Sequence, residues 1–253
     1  MQEIQKTRQE YIQALADVQG KVYQMGLRAE AAVQRALQSL LENDHALADR
    51  VMREDDDIDD MIIDIEDDCI LLIAKQQPMA HDLRVIATGF KISTDIERIG
   101  DHAFDIARTA KSDGQLLDRE HAVLVKELGD CATLMVGKAM EAYRDANVRL
   151  ADEVRHMDKR MDDIFQRTFY ALSHFVADAG TRPEEATKLL FIARFLERIG
   201  DHAVNIAEWV VYLETAERIR TRKARYEKCR SRQSHPRDCL FLSCQPPSWR
   251  QCH

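Results

Sequence analysis

Apolar residues recur every three to four positions along most of the chain, with polar residues filling the faces between them. This is the spacing of amphipathic helices buried along one side. It predicts helices over about 4–41, 46–73, 83–107, 118–146, 148–177 and 183–220. Glu42-Asn43-Asp44-His45 and Gln76-Gln77-Pro78 interrupt the first half, where Asn, Asp and Pro disfavour continuation of a helix. Thr181-Arg182-Pro183 supplies a start for the last helix. Helices of roughly 30 residues joined by short loops run antiparallel and pack as bundles. No apolar run approaches the roughly 18 residues that would span a bilayer, so no membrane crossing is expected.

The pattern itself repeats. Ile96-Glu97-Arg98-Ile99-Gly100-Asp101-His102-Ala103 returns 100 positions later as Leu196-Glu197-Arg198-Ile199-Gly200-Asp201-His202-Ala203, with one substitution. Upstream, an offset of 103 superposes Gly26 on Gly129, Val33 on Val136, Leu47 on Leu150 and Asp55 on Asp158 without a gap. The chain reads as a tandem duplication of a three-helix unit. The expected fold is all-α, with six long helices in two similar three-helix bundles. Residues 1–110 form the first and 119–220 the second, joined by a linker over 111–118. Residues 221–253 form an atypical basic, Cys-rich tail that is expected to be disordered.

Composition sharpens this. With 9 Gly and 5 Pro in 253 residues, turn formers are too scarce for an all-β chain. No glycine-rich phosphate loop, Gly-x-Ser-x-Gly elbow or His-Glu-x-x-His is present, which leaves the common nucleotide and hydrolase chemistries without a motif. The net charge of −8 averages two dissimilar parts. From Arg218 onward ten Lys and Arg stand against Glu227 and Asp238, leaving 26 basic and 42 acidic residues before it, a net of −16. A body this acidic repels nucleic acid and attracts cations or basic protein surfaces. The start, MQEIQKTRQEYIQ, is polar and unlike a secretory signal, which points to the cytoplasm. Cys69 and Cys131 read as small buried hydrophobes, and Cys229, Cys239, Cys244 and Cys252 match no zinc-ligand spacing.

Part of the acid is ordered into stripes. At 100° per residue, Glu97, Asp101 and Asp105 fall within about 80° of one another, opposite an apolar face of Ile92, Ile99, Ala103 and Ile106. The second copy places Glu197, Asp201 and Asn205 the same way. The second helix of each unit adds Asp55 and Asp59, matched by Asp158 and Asp162. Like charges four apart repel, and a cation held by oxygen donors would relieve that. These ten residues are the candidate metal ligands, for iron, zinc, manganese or magnesium. Arg98 and Arg198 are placed to brace neighbouring carboxylates, and His102 and His202 lie about 100° around, at an interhelix boundary.

The repeated string, together with Pro78-Met79-Ala80-His81-Asp82-Leu83-Arg84, resembles the PhoU family of phosphate-transport accessory proteins over about residues 5–215. The resemblance implies two three-helix bundles, a cytoplasmic and often dimeric protein, and multinuclear metal sites on the two acidic motifs. It implies a regulator and no enzyme. Such a protein connects the ATPase subunit of a phosphate ABC transporter (PstB-like) to a sensor histidine kinase (PhoR-like), represses phosphate-starvation genes when phosphate is plentiful, and reaches the membrane only through these partners. Asn205 departs from the acidic pattern by one charge, which implies weaker metal binding at the second site. The tail also departs from the family pattern, and a frameshifted or chimeric end would account for it. Two other readings follow from the residues: a helical scaffold without metal, and a di-iron carboxylate oxidase. For the latter, Glu42-Asn43-Asp44-His45 and Glu153-Val154-Arg155-His156 match Glu-x-x-His but occupy non-equivalent places in the repeat.

Overall fold

The structure, a computed structural model, describes residues 2–111, 119–177 and 183–219. These fold into α1 (Gln2–Glu42), α2 (His45–Gln76), α3 (His81–Ala110), α4 (Arg119–Arg144), α5 (Val148–Ala177) and α6 (Pro183–Thr215). Helices α1, α2 and α3 pack on one another, as do α4, α5 and α6, and the two bundles meet along α1–α4 and α3–α6. Most of the expected linker and the whole tail lie outside the described residues.

The α1–α2 and α4–α5 turns share one construction. Asn43 adopts φ 54° and Ala146 φ 49°, so the chain leaves α1 and α4 through a left-handed residue. The next residue then closes the helix and opens its successor. Asp44 N–H donates to Ser39 O (2.9 Å) while its carboxylate accepts from Leu47 N–H (2.9 Å). Asn147 N–H donates to Ala142 O (2.9 Å), and its side chain accepts from Leu150 N–H (3.1 Å). One residue thus satisfies orphan groups of two helices, which keeps the turns at two residues (43–44) and three (145–147).

Between the bundles the duplication becomes an approximate two-fold axis. In the α1–α4 seam, a Cβ at Gly26 would lie 2.3 Å from the Met140 side chain, and a Cβ at Gly129 would lie 2.5 Å from Leu37. Gly26 corresponds to Gly129 and Leu37 to Met140, so each bundle contributes one socket and one knob. The α3–α6 pair is antiparallel: Arg84 Nε donates to Leu213 O (3.1 Å), and His202 Nδ1 lies 2.8 Å from Asp95 Oδ1. The buried surface is aliphatic, with Met25, Ile58, Ile65, Ile92 and Ile99 in one half and Leu128, Met135, Ile192 and Ile199 in the other, each less than 3 % exposed.

Helices α2 and α3 run three residues past the hydrophobic pattern, to Gln76 and Ala110, and two others stop short of it. Helix α4 stops at Arg144, ahead of the left-handed Ala146, rather than at 146. Helix α6 stops at Thr215 rather than at 220, because Ala216 turns left-handed (φ 61°). The end is held by Glu217 N–H donating to Thr215 Oγ1 (3.1 Å) and by the Arg218 guanidinium over the Trp209 and Tyr212 rings.

Candidate metal-binding faces

On the first face, α2 crosses α3 closely because residue 100 has no side chain. A Cβ at Gly100 would sit 3.0 Å from Asp55 Oδ1 and 3.2 Å from Ile58. The repeated glycine therefore does spatial work, bringing Asp55 against the helix that carries Glu97 and Asp101. Burial, then the charges of Asp59, Asp101, Asp56 and Glu97, push the Asp55 carboxyl up to about 6. Glu97 and Asp59 are also raised, by burial first and by Asp101 next. Arg98 braces two of these acids, 3.2 Å from Glu97 and 2.8 Å from Asp101. Asp105, a turn further on, is held by Arg108 at 2.7 Å.

Among the described residues, no three His, Cys, Asp or Glu side chains are gathered into a closed ligand set. The donor chemistry nonetheless fits a hard or borderline cation. Four carboxylates, Asp55, Asp59, Glu97 and Asp101, feel one another's charge in a partly dehydrated place. As placed they close no ligand set, and a cation among them would replace their repulsion with attraction.

The second face is built differently. Glu197 is 9 % exposed and accepts from Arg194 (2.6 Å), a bracing arginine that the first copy lacks, since Thr94 stands at the equivalent position. Met161, not a carboxylate, lies nearest the Cβ position of Gly200, at 3.1 Å. Asp158, Asp162 and Asp201 are half-buried and Asn205 is exposed. Asn205 Nδ2 donates to Asp95 Oδ1 (3.0 Å), the oxygen that also meets His202. Glu208 is raised by burial, with Arg155 opposing and Asp158 and Asp95 adding to the rise. The charge missing at Asn205 is thus offset by Glu208, one turn on along the same face, and by Asp95 from the other bundle. Glu208 was legible as the next acid of the stripe, whereas Asp95 was not, since its partners lie in the other repeat.

The two histidines meet where α3 packs on α6. His102 is buried, stacks on Phe195 (5.6 Å) and faces His202 (5.8 Å), with neither ring nitrogen hydrogen-bonded. Burial first, then the charges of His202 and Arg198, hold it down to about 4. The Glu-x-x-His matches face outward: Glu42, Glu153 and His156 are exposed, and Glu153 pairs with Lys138 (2.9 Å). An inward di-iron carboxylate centre is not built from them.

Fold and faces together define an all-helical protein made of two fused three-helix bundles, each carrying carboxylates where its second helix crosses its third. The PhoU domain family matches residues 22–110 and 125–210, and the chain belongs to the PhoU family. A phosphate-specific transport system accessory protein PhoU homolog from Clostridium acetobutylicum is 36% identical over 217 residues, 84% of this chain and 98% of that one. The crystal structure of PhoU from Pseudomonas aeruginosa superposes with a TM-score of 0.78 at 33% identity, covering 82% of this chain and all of that one. PhoU from Streptococcus pneumoniae, at 24% identity and a TM-score of 0.76, shares the fold. No helix among the described residues is long and apolar enough to cross a membrane.

Proposed function

We propose that this chain is a non-enzymatic accessory regulator of phosphate uptake. In this reading it is a metal-binding adaptor between the ATPase subunit of a phosphate ABC transporter and a sensor histidine kinase. It acts in the cytoplasm as a homodimer, restrains uptake and keeps phosphate-starvation genes repressed while phosphate is plentiful. The observation that carries the reading is the extent of the likeness to the Clostridium accessory protein, which runs through both bundles and nearly the whole of that relative.

Asp55, Asp59, Glu97 and Asp101 would hold the cation of the first face, and Asp158, Asp162, Glu197 and Asp201, with Asn205 at the rim, that of the second. A bound ion supplies positive charge that fixes α2 against α3 and α5 against α6. The chain's own contribution is a rigid helical frame whose remaining surfaces meet the partners.

Deleting the gene is expected to release alkaline phosphatase expression in high phosphate, and complementation to restore repression. A deletion strain that represses normally would overturn the regulatory reading. Separately, changing Glu97, Asp101, Glu197 and Asp201 to Ala should lower the metal content of purified protein, measured by elemental analysis with the solution mass. An unchanged content would remove the metal assignment.

A further inference from the structure

The two bundles share a fold but not a charge. Helix α2 carries eleven Asp and Glu against three Lys and Arg, whereas its counterpart α5 carries five of each. Part of the difference falls where the second helix faces the first. In the first bundle, Arg28 of α1 pairs with Asp57 of α2 (2.7 Å) and Arg35 with Glu54 (2.5 Å). The offset of 103 turns these pairs into Cys131 with Arg160 and Lys138 with Met157. Both bracing carboxylates are gone. Lys138 turns instead to Glu153 (2.9 Å), and among the described residues neither Arg160 nor Arg149 has an ion-pair partner.

Arg149, Glu153, His156 and Arg160 lie within about 60° of one another on α5, with the two arginines about 16 Å apart along the axis. With Lys138 of α4 they line an open groove of about 630 Å³. The acids of this groove are spoken for: Asp152 binds Arg155 (2.7 Å) and Glu153 binds Lys138. His156 Nδ1 meets Asp152 O (2.6 Å). What remains is a row of two free guanidiniums on a molecule whose first 217 residues carry −16.

We propose that the α4–α5 groove docks an acidic segment of a partner protein, with Arg149 and Arg160 reading carboxylates about three helical turns apart. The spacing is too wide for one small anion to touch both arginines. The acidic body disfavours a long polyanion such as nucleic acid, whereas a short acidic segment keeps its charge within a Debye length of the groove. Arginine pairs with carboxylates in a two-point fork, so two arginines in register select the spacing of the carboxylates as well as their charge. The proposal rests on the adaptor reading for its biological meaning and on the groove alone for its binding.

The test uses the full chain and a rhodamine-labelled helical peptide of 20 residues with Glu at positions 4, 8, 11 and 15 in an Ala and Gln background, titrated by anisotropy at 50 and 200 mM salt. Binding is expected at low salt and weaker at high salt. It should weaken at least tenfold in R149E/R160E, and in M157E, which returns a carboxylate to the groove as at Glu54. D60K/D67K on α2 should leave it within twofold. Circular dichroism melts confirm that each variant folds. Absence of binding, equal binding by R149E/R160E, or tighter binding of a single-stranded oligonucleotide of similar charge would overturn the proposal. Groove-dependent peptide binding alongside intact phosphate repression in R149E/R160E would leave the docking site standing and remove its place in the adaptor reading.

Discussion

Asp55 and His102 titrate in overlapping pH ranges with opposite consequences. Asp55, raised to about 6 against an ordinary value near 3.9, holds its proton more tightly folded than unfolded. Metal-free protein therefore gains stability through Asp55 as pH falls from about 6 towards 4, and loses that gain as pH rises. His102, held to about 4 against an ordinary 6.5, does the reverse. Its burial is harmless above pH 6.5, and stability is lost as pH falls towards 4, because only the unfolded chain takes up the proton. The two largely cancel, and single variants separate them. His102→Phe, which keeps the stack on Phe195, should be more stable than the native chain by a margin that widens by up to about 1.4 kcal/mol per pH unit below 6.5. Asp55→Asn should lose the acid-side gain. Urea unfolding between pH 4.5 and 8 in chelator measures both, and a constant margin for His102→Phe would contradict a neutral buried imidazole.

Helix boundaries were legible wherever a side chain caps and illegible where only the backbone turns. Asn43-Asp44 and Pro78 announce their breaks, while Ala146 and Ala216 turn left-handed without a residue that favours it. An alanine there costs about 1 kcal/mol or more, so Ala146→Gly should raise stability by about 1 kcal/mol. Thermal melts would show it, and no change would mean that the turn relaxes at no cost. The α1–α4 seam gives a second expectation. Gly129→Val should destabilise by about 2 kcal/mol through collision with Leu37. Leu37→Ala, itself costing about 2–5 kcal/mol by leaving a cavity, should make room for it. The double variant should therefore be less destabilised than the sum of the singles. Additivity would place the two residues out of contact. The same logic limited the reading of the faces: stripes along one helix, from Glu97 to Asp105, follow from spacing, but Gly100 as the seat of Asp55 and Asp95 as a partner of Asn205 depend on which helices cross.

For the whole molecule, the duplicated string predicted two bundles, which the six helices form; its acid predicted a cation surface, a reading motivated by the mutual repulsion that Asp55, Asp59 and Glu97 register. Removing a bound cation should return the repulsion among Asp55, Asp59, Glu97 and Asp101. Chelator is expected to lower the melting temperature of metal-loaded protein, by an amount equivalent to about 2.7 kcal/mol if the free ion stood at 100 times its dissociation constant. High salt should reduce the difference between metal-free and loaded protein by screening the acids. A chelator-insensitive melt would favour the scaffold reading. Glu97→Gln, Asp101→Asn, Glu197→Gln and Asp201→Asn combined, which disarm both faces, should melt alike with and without chelator.

The knob-and-socket exchange of Leu37 with Gly129 and Met140 with Gly26 has a further consequence. A seam in which each half offers the same two features is what a symmetric dimer would use, and in such a dimer every substitution arrives twice. Joining the halves into one polypeptide lifts that constraint. Asp95 opposes His202 while Phe195 opposes His102, and Arg28 pairs with Asp57 while Cys131 and Arg160 occupy the equivalent positions of the second bundle. Covalent continuity lets one frame carry two unlike faces, each free to change without its twin.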